Sequence, residues 1–136
     1  DLHDWMQHTF RINDSWSYAG LSSGGFAAAY LPMIAPYPVH AVCGLSGYYS
    51  GNIPPLAAYG RAAQLRVSPL AHPNHLGAIT FIAYGTGDWR STNSLTYIAA
   101  LRKAHTKLEV QPYPGAHDWQ VWTPAFLGCF RAIEPA

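Results

Sequence analysis

The chain has 136 residues, of which 49% are hydrophobic, which is enough for one domain with a buried core and too apolar for a disordered segment. Charged residues make up 11% and the formal net charge is +1, so the composition argues against nucleic-acid or anionic-membrane binding and favours a small or apolar partner. No apolar stretch reaches the length of a transmembrane helix, and residues 1–7 lack the pattern of a signal peptide.

Strands and helices alternate along the chain. The apolar periodicity predicts a helix over 2–12, a strand over 15–21, a helix over 23–34, a strand over 39–45, a strand over 78–84, a helix over 91–103, a strand over 108–113 and a helix over 119–132. Turn residues at Asn13-Asp14 close the first helix, and Pro36 and Pro38 close the second. This order indicates a single α/β domain with a mainly parallel sheet flanked by helices, whose ligands bind beyond the carboxyl ends of the strands.

Residues 48–77 differ in character from the rest of the chain. Glycines and prolines, including Gly51, Pro54-Pro55 and Gly60, interrupt a mixture of alanine, leucine and tyrosine that never settles into a long period. We expect this segment to be a Pro/Gly-rich, lid-like insertion in the single domain formed by residues 1–136.

The pentapeptide Gly20-Leu21-Ser22-Ser23-Gly24 joins the first predicted strand to the next helix. A G-x-S-x-G sequence there is typical of a nucleophile elbow, a strained turn whose flanking residues must be small because a Cβ atom would collide with backbone. Gly20 and Gly24 meet this requirement around Ser22, whereas a nucleophile at Ser23 would place Leu21 two positions upstream. Short Gly/Ser runs also form plain turns, and an acid and a histidine later in the chain favour the elbow.

An acid follows the strand predicted over 78–84. Asp88 ends the sequence Gly85-Thr86-Gly87-Asp88, where its carboxylate would project from the strand end into the same cleft as Ser22. Taken alone, Asp88 is more simply a turn residue or the cap of the helix predicted over 91–103. Its place between a candidate nucleophile and a candidate base, in the chain order Ser, Asp, His, favours a catalytic role.

A histidine lies in the loop after the last predicted strand, in Gly115-Ala116-His117-Asp118-Trp119. His117 could reach over the elbow and act as the general base for Ser22, while Asp88 fixes its tautomer. A helix-entry histidine beside a capping Asp118 is the alternative. Asp118 is also a rival third member of the triad, ranked below Asp88 because adjacent residues cannot easily aim their side chains at each other.

Two cysteines, Cys43 and Cys129, match no metal-binding spacing. Their apolar surroundings favour reduced, buried side chains, and the alternative, a disulfide, would indicate an exported protein. The low lysine count and the many Trp and Tyr residues favour a secreted or periplasmic location. His72 and His75 have the spacing of a metal pair, but Pro73 disfavours a helical arrangement, so we predict no metal and no cofactor.

Together these segments resemble the esterase family of α/β-hydrolases that includes S-formylglutathione hydrolase, the feruloyl esterases and the mycolyltransferases. The matching segments are Gly20-Leu21-Ser22-Ser23-Gly24-Gly25, Gly85-Thr86-Gly87-Asp88, and Gly115-Ala116-His117-Asp118-Trp119 with Trp122 after it. The resemblance covers nearly the whole chain. It implies that Ser22 is the nucleophile, Asp88 the acid and His117 the base of a catalytic triad.

The resemblance also implies that this chain is the C-terminal half of the fold. A complete α/β-hydrolase core has several strands before the elbow strand, whereas here the elbow lies at residue 22. The implied missing half would supply one of the two oxyanion-hole N–H groups, and Ser23, the residue after the nucleophile, would supply the other. We therefore expect an N-terminal half, or a second chain, to complete the sheet.

The expected reaction is hydrolysis of a small carboxylic ester through an acyl-enzyme on Ser22. Tyr48, Tyr49 and Tyr59 in the insertion, and Trp119 beside the histidine, are the candidate substrate-binding residues, although packing explains the tyrosines equally well. Two alternatives remain open. An acyltransferase would pass the acyl group to an acceptor other than water, and a non-catalytic binding module would keep the hydrolase scaffold without the reaction.

Overall fold

The computed structural model describes residues 2–75 and 78–134. In chain order its elements are α1 (Leu2–Thr9), β1 (Trp16–Leu21), α2 (Ser23–Ile34), β2 (Val39–Leu45), α3 (Pro54–Ala57), α4 (Gly60–Arg66), β3 (Ile79–Gly85), α5 (Ser91–Lys103), β4 (Leu108–Tyr113) and α6 (Trp119–Ile133). Two single-turn 3-10 helices, Pro69–Ala71 and Pro73–His75, lie between α4 and β3.

The four strands form one parallel sheet in the order β1-β2-β3-β4. The register aligns their carboxyl ends, because Leu21 pairs with Leu45, Leu45 with Ala83, and Gly85 with Tyr113. All four following loops therefore leave from one edge of the sheet, where ligands of such folds bind. The predicted alternation of helices with strands in a parallel sheet is confirmed.

Helices cover both faces of the sheet. Side chains alternate between the faces along each strand, so Val42 and Ile82 pack under α2 and α5, whereas Cys43 and Phe81 pack under α6. The central strands β2 and β3 are buried over nearly their whole length, as expected for strands covered on both sides. The core thus holds the strand ends, and the loops after them, in fixed relative positions.

The first helix is shorter than its apolar pattern predicts. It ends at Thr9 instead of residue 12, and none of its residues is buried. The expected last turn therefore has no packing beneath it, and helices of this length depend on packing for their stability. The strand expected over 78–84 is displaced by one residue, to Ile79–Gly85.

The segment predicted as an insertion contains the short helices α3 and α4 and the two 3-10 turns. These short pieces account for the lack of a sustained period in the sequence. Leu76 and Gly77, at the end of the predicted insertion over 48–77, lie outside the described residues. Among the residues described, no helix combines the length and the apolar character that crossing a bilayer requires.

Cys43 and Cys129 form a disulfide between β2 and α6, so the expectation of two reduced cysteines is wrong. Their Cα atoms are 6.0 Å apart and both residues are buried, although they are 86 positions apart in the sequence. Only the packing of α6 on the sheet brings them together, which is why no local spacing indicates the bond. The bond fixes α6, the helix that follows the loop of His117, to a central strand.

Removal of this disulfide should destabilise the protein. Replacing both cysteines with alanine in the full-length protein should lower the free energy of unfolding by about 2–4 kcal/mol, because the bond restricts the unfolded chain. Urea unfolding followed by tryptophan fluorescence measures the change. Wild-type protein in excess dithiothreitol is the matched control, since it keeps both side chains, and equal stability of its reduced and oxidised forms would contradict the prediction.

Candidate active site

Ser22 occupies a strained turn between β1 and α2. Its backbone has φ 53° and ψ −117°, and a positive φ is uncommon for a residue with a side chain. The Ser22 N–H donates a 2.8 Å hydrogen bond to the Leu45 carbonyl, and α2 begins at the next residue. The chain therefore reverses sharply from strand to helix at the edge of the sheet where the loops meet.

Two glycines permit this turn. A Cβ atom at Gly20 would lie 2.2 Å from the Gly24 carbonyl oxygen, and a Cβ atom at Gly25 would lie 2.9 Å from the Gly47 Cα. A Cβ atom at Gly24 would meet nothing within 4 Å. The predicted requirement for a residue without a Cβ atom is thus present at Gly20 but absent at Gly24. The backbone of Gly24 is what a Cβ atom at Gly20 would strike, whereas the space beside the Gly24 Cα is open.

The loops after β3 and β4 contact each other through their backbones. The Gly87 N–H donates a 2.8 Å hydrogen bond to the Gly115 carbonyl. A Cβ atom at Gly85 would lie 2.5 Å from the Ala116 carbonyl oxygen, and Gly115 itself has φ 138°, a conformation that favours glycine. The absence of side chains at these positions lets the two loops approach closely.

That approach brings three predicted site residues into one hydrogen-bonded chain. The Nδ1 of His117 lies 2.7 Å from Oδ2 of Asp88, and its Nε2 lies 2.9 Å from Oγ of Ser22. An ionised carboxylate can only accept hydrogen bonds, so Nδ1 donates to Asp88 and Nε2 accepts from the Ser22 hydroxyl. In this tautomer the imidazole is placed to take the hydroxyl proton.

The carboxylate of Asp88 is enclosed and has partners at both oxygens. Its side chain is 1% exposed, against 19% for His117. Oδ2 accepts from His117, and Oδ1 accepts a 2.8 Å hydrogen bond from the Arg90 N–H. Asp88 therefore has the turn role that the sequence allowed and also contacts the histidine. These hydrogen bonds offset the unfavourable burial of its charge.

Helix α6 begins directly after the histidine. Asp118 caps this helix, since its Oδ1 accepts a 3.0 Å hydrogen bond from the Gln120 N–H. The carboxylate hydrogen-bonded to the imidazole is that of Asp88 and not that of its rival Asp118. The Trp122 ring packs edge-on against the imidazole, with ring centroids 5.0 Å apart at 85°. The first turn of α6 thus contacts and supports the His117 ring.

A cavity of about 380 Å³ opens beside Ser22. Its lining includes Ser46 after β2, Tyr48 and Pro55 from the insertion, and Arg90 after β3. A smaller cavity of about 230 Å³ shares Ser50 and Asn52 with the first and extends toward α4. The two cavities are neighbours, and the smaller one is lined entirely by residues of the segment predicted as an insertion.

The predicted substrate-binding residues divide between the cavity and other positions. Tyr48 lines the cavity and stacks on Phe26, whereas Tyr49 is buried in the core against Tyr97, with ring centroids 4.1 Å apart. Of these two consecutive tyrosines, one thus faces the cavity and the other the core. Burial raises the pKa of the Tyr49 hydroxyl well above its usual range.

Tyr59 and Trp119 are both exposed and lie outside the cavity lining. Trp119 packs edge-on against Trp122, 5.5 Å between centroids, and so lies on the histidine side of the site. Tyr59 lies in the turn between α3 and α4, and Trp119 is the first residue of α6, so both side chains are directed to the surface.

Outside the segment predicted as an insertion, sequence reasoning missed five residues of the cavity lining, namely Ser46, Gly47, Trp89, Arg90 and Asn93. Ser46 directly follows β2, is buried and has φ 48°, while Trp89 and Arg90 directly follow Asp88. The rule that placed Asp88 in the site, namely that loops after parallel strands meet at one edge, applies equally to Ser46. That signal was present in the sequence.

Of the histidine pair of the insertion, only the His72 side chain is described. The Nε2 of His72 lies 3.1 Å from the Leu65 carbonyl oxygen, a contact that joins the 3-10 turns to α4. The side chain of His75 lies outside the described residues. Within residues 2–75 and 78–134, no group of three or more His, Cys, Asp or Glu side chains could hold a metal ion.

Solved α/β-hydrolase structures share this fold. A ferulic acid esterase matches 98% of this chain over 57% of its own length, with a TM-score of 0.77 and 19% identity. S-formylglutathione hydrolase from Staphylococcus aureus matches 98% of this chain over 61% of its own length, with a TM-score of 0.73 and 14% identity. The fluorophosphonate-binding serine hydrolase F of Staphylococcus aureus also matches 98% of this chain over 61% of its own length, with a TM-score of 0.76 and 15% identity. No protein-family model and no curated protein sequence matches the chain.

The chain therefore has the fold of esterase-type α/β-hydrolases, and the resemblance drawn from its motifs is confirmed at the level of the fold. It spans less than two thirds of the length of these structures, which agrees with a partial α/β-hydrolase fold built on four strands.

The two elbow glycines should respond oppositely to alanine. Gly20→Ala should lower the free energy of unfolding of the full-length protein by about 1–3 kcal/mol, because the new methyl group overlaps the Gly24 carbonyl. Gly24→Ala is the matched control and should raise it by about 0.5–1 kcal/mol, since the position is open and helical. Urea unfolding measures both, and equal effects of the two variants would contradict the geometry of the turn.

Proposed function

We propose that this protein is a serine hydrolase that cleaves carboxylic esters through an acyl-enzyme on Ser22. The observation that carries the proposal is the hydrogen-bonded chain Asp88–His117–Ser22, which ends at a strained serine on the wall of a cavity. This arrangement has the roles and the geometry of a Ser-His-Asp triad. The structural matches to an esterase and to serine hydrolases support the same class of reaction.

The reaction follows from the direction of the hydrogen bonds. As Oγ of Ser22 attacks the ester carbonyl, Nε2 of His117 takes its proton, and the buried carboxylate of Asp88 stabilises the resulting imidazolium. Nε2 then returns the proton to the oxygen of the leaving alcohol, and the acyl-enzyme remains. Water, deprotonated by the same nitrogen, attacks the acyl-enzyme and releases the acid.

The Ser23 N–H is the first donor for the oxyanion. Ser23 opens α2, and the first N–H groups of a helix have no partner within it. The positive end of the helix dipole also lies at this point. A second donor comes from the loop of a preceding segment of polypeptide, on this chain or on another, since removing one donor typically lowers the rate of such enzymes on the order of a hundredfold.

That segment also completes the sheet beside β1. Among the described strands β1 pairs with β2 alone, and Ser17 and Ala19, which point to the same face of the sheet as Cys43, are exposed. The longer chains of the matching structures support an additional part of the fold at this edge. The insertion, residues 48–77, acts as a lid-like wall of the cavity through Tyr48 and Pro55. The disulfide favours a secreted or periplasmic location, where such bonds persist.

Ser22 should react with a fluorophosphonate probe. The full-length wild-type protein should label at this residue, because His117 activates its hydroxyl, and Ser22→Ala should abolish labelling. Ser23→Ala is the matched control: it removes the neighbouring hydroxyl but keeps the backbone N–H, so its labelling should persist. Peptide mass spectrometry identifies the site. A folded wild-type protein that does not label would favour the non-catalytic binding module.

Ester hydrolysis should accompany labelling. The wild-type protein should release nitrophenol from short-chain nitrophenyl esters, and Asp88→Asn should lower kcat by roughly 10³–10⁴-fold because the histidine loses its tautomer. Product analysis with an added alcohol or sugar distinguishes hydrolysis from acyl transfer. A dominant transfer product would assign the protein to the acyltransferases instead.

The face of β1 that carries Ala19 should prove to be covered in the full-length protein. Ala19→Lys should lower the free energy of unfolding by about 2 kcal/mol or more, because a packed site would have to bury an unpaired charge. Ala99→Lys on the exposed side of α5 is the matched control and should change it by less than about 0.5 kcal/mol. Equal, small effects at both positions would show that no further part of the fold packs on this face of β1.

A further inference from the structure

We propose that the acyl part of the ester carries an anionic group, a carboxylate in the simplest case, and that Arg90 binds it. The inference rests on the proposed function and adds the class of substrate. The cavity lining includes Ser22 but not His117. Because His117 protonates the leaving alcohol, the leaving group lies on the histidine side of Ser22, and the cavity is left for the acyl part.

The two cavities carry positive charge without an acid in their linings. Arg90 lines the cavity beside Ser22, and Arg61 lines the smaller neighbouring cavity. No aspartate or glutamate occurs in the sequence between Asp14 and Asp88, the stretch that forms the elbow, β2, the insertion and β3. An anionic acyl chain therefore meets no carboxylate on these walls that would repel it.

The guanidinium of Arg90 is held at the cavity and is available to a ligand. Its Cζ lies 4.3 Å from the centroid of the Trp89 ring, which is itself 78% exposed. Such stacking orders an arginine side chain while leaving its N–H groups free to donate. In the described part of the chain, Arg90 forms no ion pair.

The nearest negative charge, on Asp88, does not occupy this arginine. One oxygen of that carboxylate accepts the Arg90 backbone N–H, and the other accepts from His117. Helix α5 starts at Ser91, and its first turn contains no acidic residue. The guanidinium of Arg90 is therefore the charged donor that this loop presents at the cavity.

The shape of the cavity suits a substrate with an apolar chain and a terminal anion. Ile53, Pro54 and Pro55 provide an apolar wall, while Arg90 and Asn93 provide donors opposite the insertion. The planar guanidinium binds a carboxylate through two parallel hydrogen bonds, a geometry that a neutral ester end cannot match. A dicarboxylic acid monoester, esterified at one end and ionised at the other, combines these features.

The test compares two esters that differ only in this charge. The probes are 4-nitrophenyl hydrogen adipate, an anion at pH 7, and its neutral methyl ester, methyl 4-nitrophenyl adipate. The full-length wild-type protein should show a kcat/KM higher for the anion on the order of threefold to tenfold, and 0.5 M NaCl should reduce this preference because the arginine is exposed to solvent.

Arg90→Gln should abolish the preference, mainly by raising KM for the anion, so that the ratio of kcat/KM for the anion to kcat/KM for the neutral ester falls to about one. Arg90→Lys should retain part of it. Arg102→Gln is the matched control: it removes the same charge from the other end of α5, about 18 Å away at 1.5 Å per residue, and should keep the full preference.

Two outcomes would overturn the inference while leaving the hydrolase intact. These are a wild-type protein that hydrolyses the neutral ester at least as well as the anion, and an anion preference that survives unchanged in Arg90→Gln. Hydrolysis of neither ester, together with no fluorophosphonate labelling of a folded protein, would instead remove the proposed function and this inference with it.

Discussion

The site depends on one backbone contact, between the loop after β3 and the loop after β4. A hydrogen bond from Gly87 to Gly115 joins them, and Gly85 approaches the Ala116 carbonyl at a distance that no side chain could accommodate. This contact places an imidazole against a carboxylate across 29 residues of chain. His117 reaches the Ser22 hydroxyl only because the neighbouring loops meet in this way.

The buried carboxylate and the helix after the histidine both contact the imidazole. Asp88 receives hydrogen bonds at both oxygens, so its charge is compensated where water has little access. Trp122 packs edge-on against the ring, and the disulfide at Cys129 fixes the same helix to β2. A histidine on a loop is thereby supported by a buried hydrogen bond and by a helix that is covalently joined to the sheet.

The insertion and the free edge of β1 define what surrounds this centre. The insertion closes one side of the cavity with apolar residues, and the acid-free stretch of sequence leaves Arg90 as a charged donor on the other. The edge of β1 lies next to the elbow, so whatever pairs there also borders the oxyanion position. The cavity and the outer edge of β1 are therefore adjacent surfaces, and both border Ser22.

Much of the fold could be predicted because its signals are local. The predicted extents of 23–34, 39–45, 91–103 and 108–113 agree with the structure, since the apolar period of a segment reflects how that segment packs. Ser22 could be singled out over Ser23 because the steric demands of the elbow act on residues one or two positions away. The strand-end rule similarly indicated that Asp88 and His117 lie at the same edge.

The amino-acid sequence thus determined the order of elements, the turn at Ser22 and the candidate residues at the strand ends, because each depends on neighbours along the chain. Only the tertiary structure decided that Cys43 bonds Cys129, that Tyr48 faces the cavity while Tyr49 enters the core, and that Gly25 is constrained where Gly24 is not. These outcomes depend on distances between elements far apart in sequence, and such distances are set by how the helices pack on the sheet.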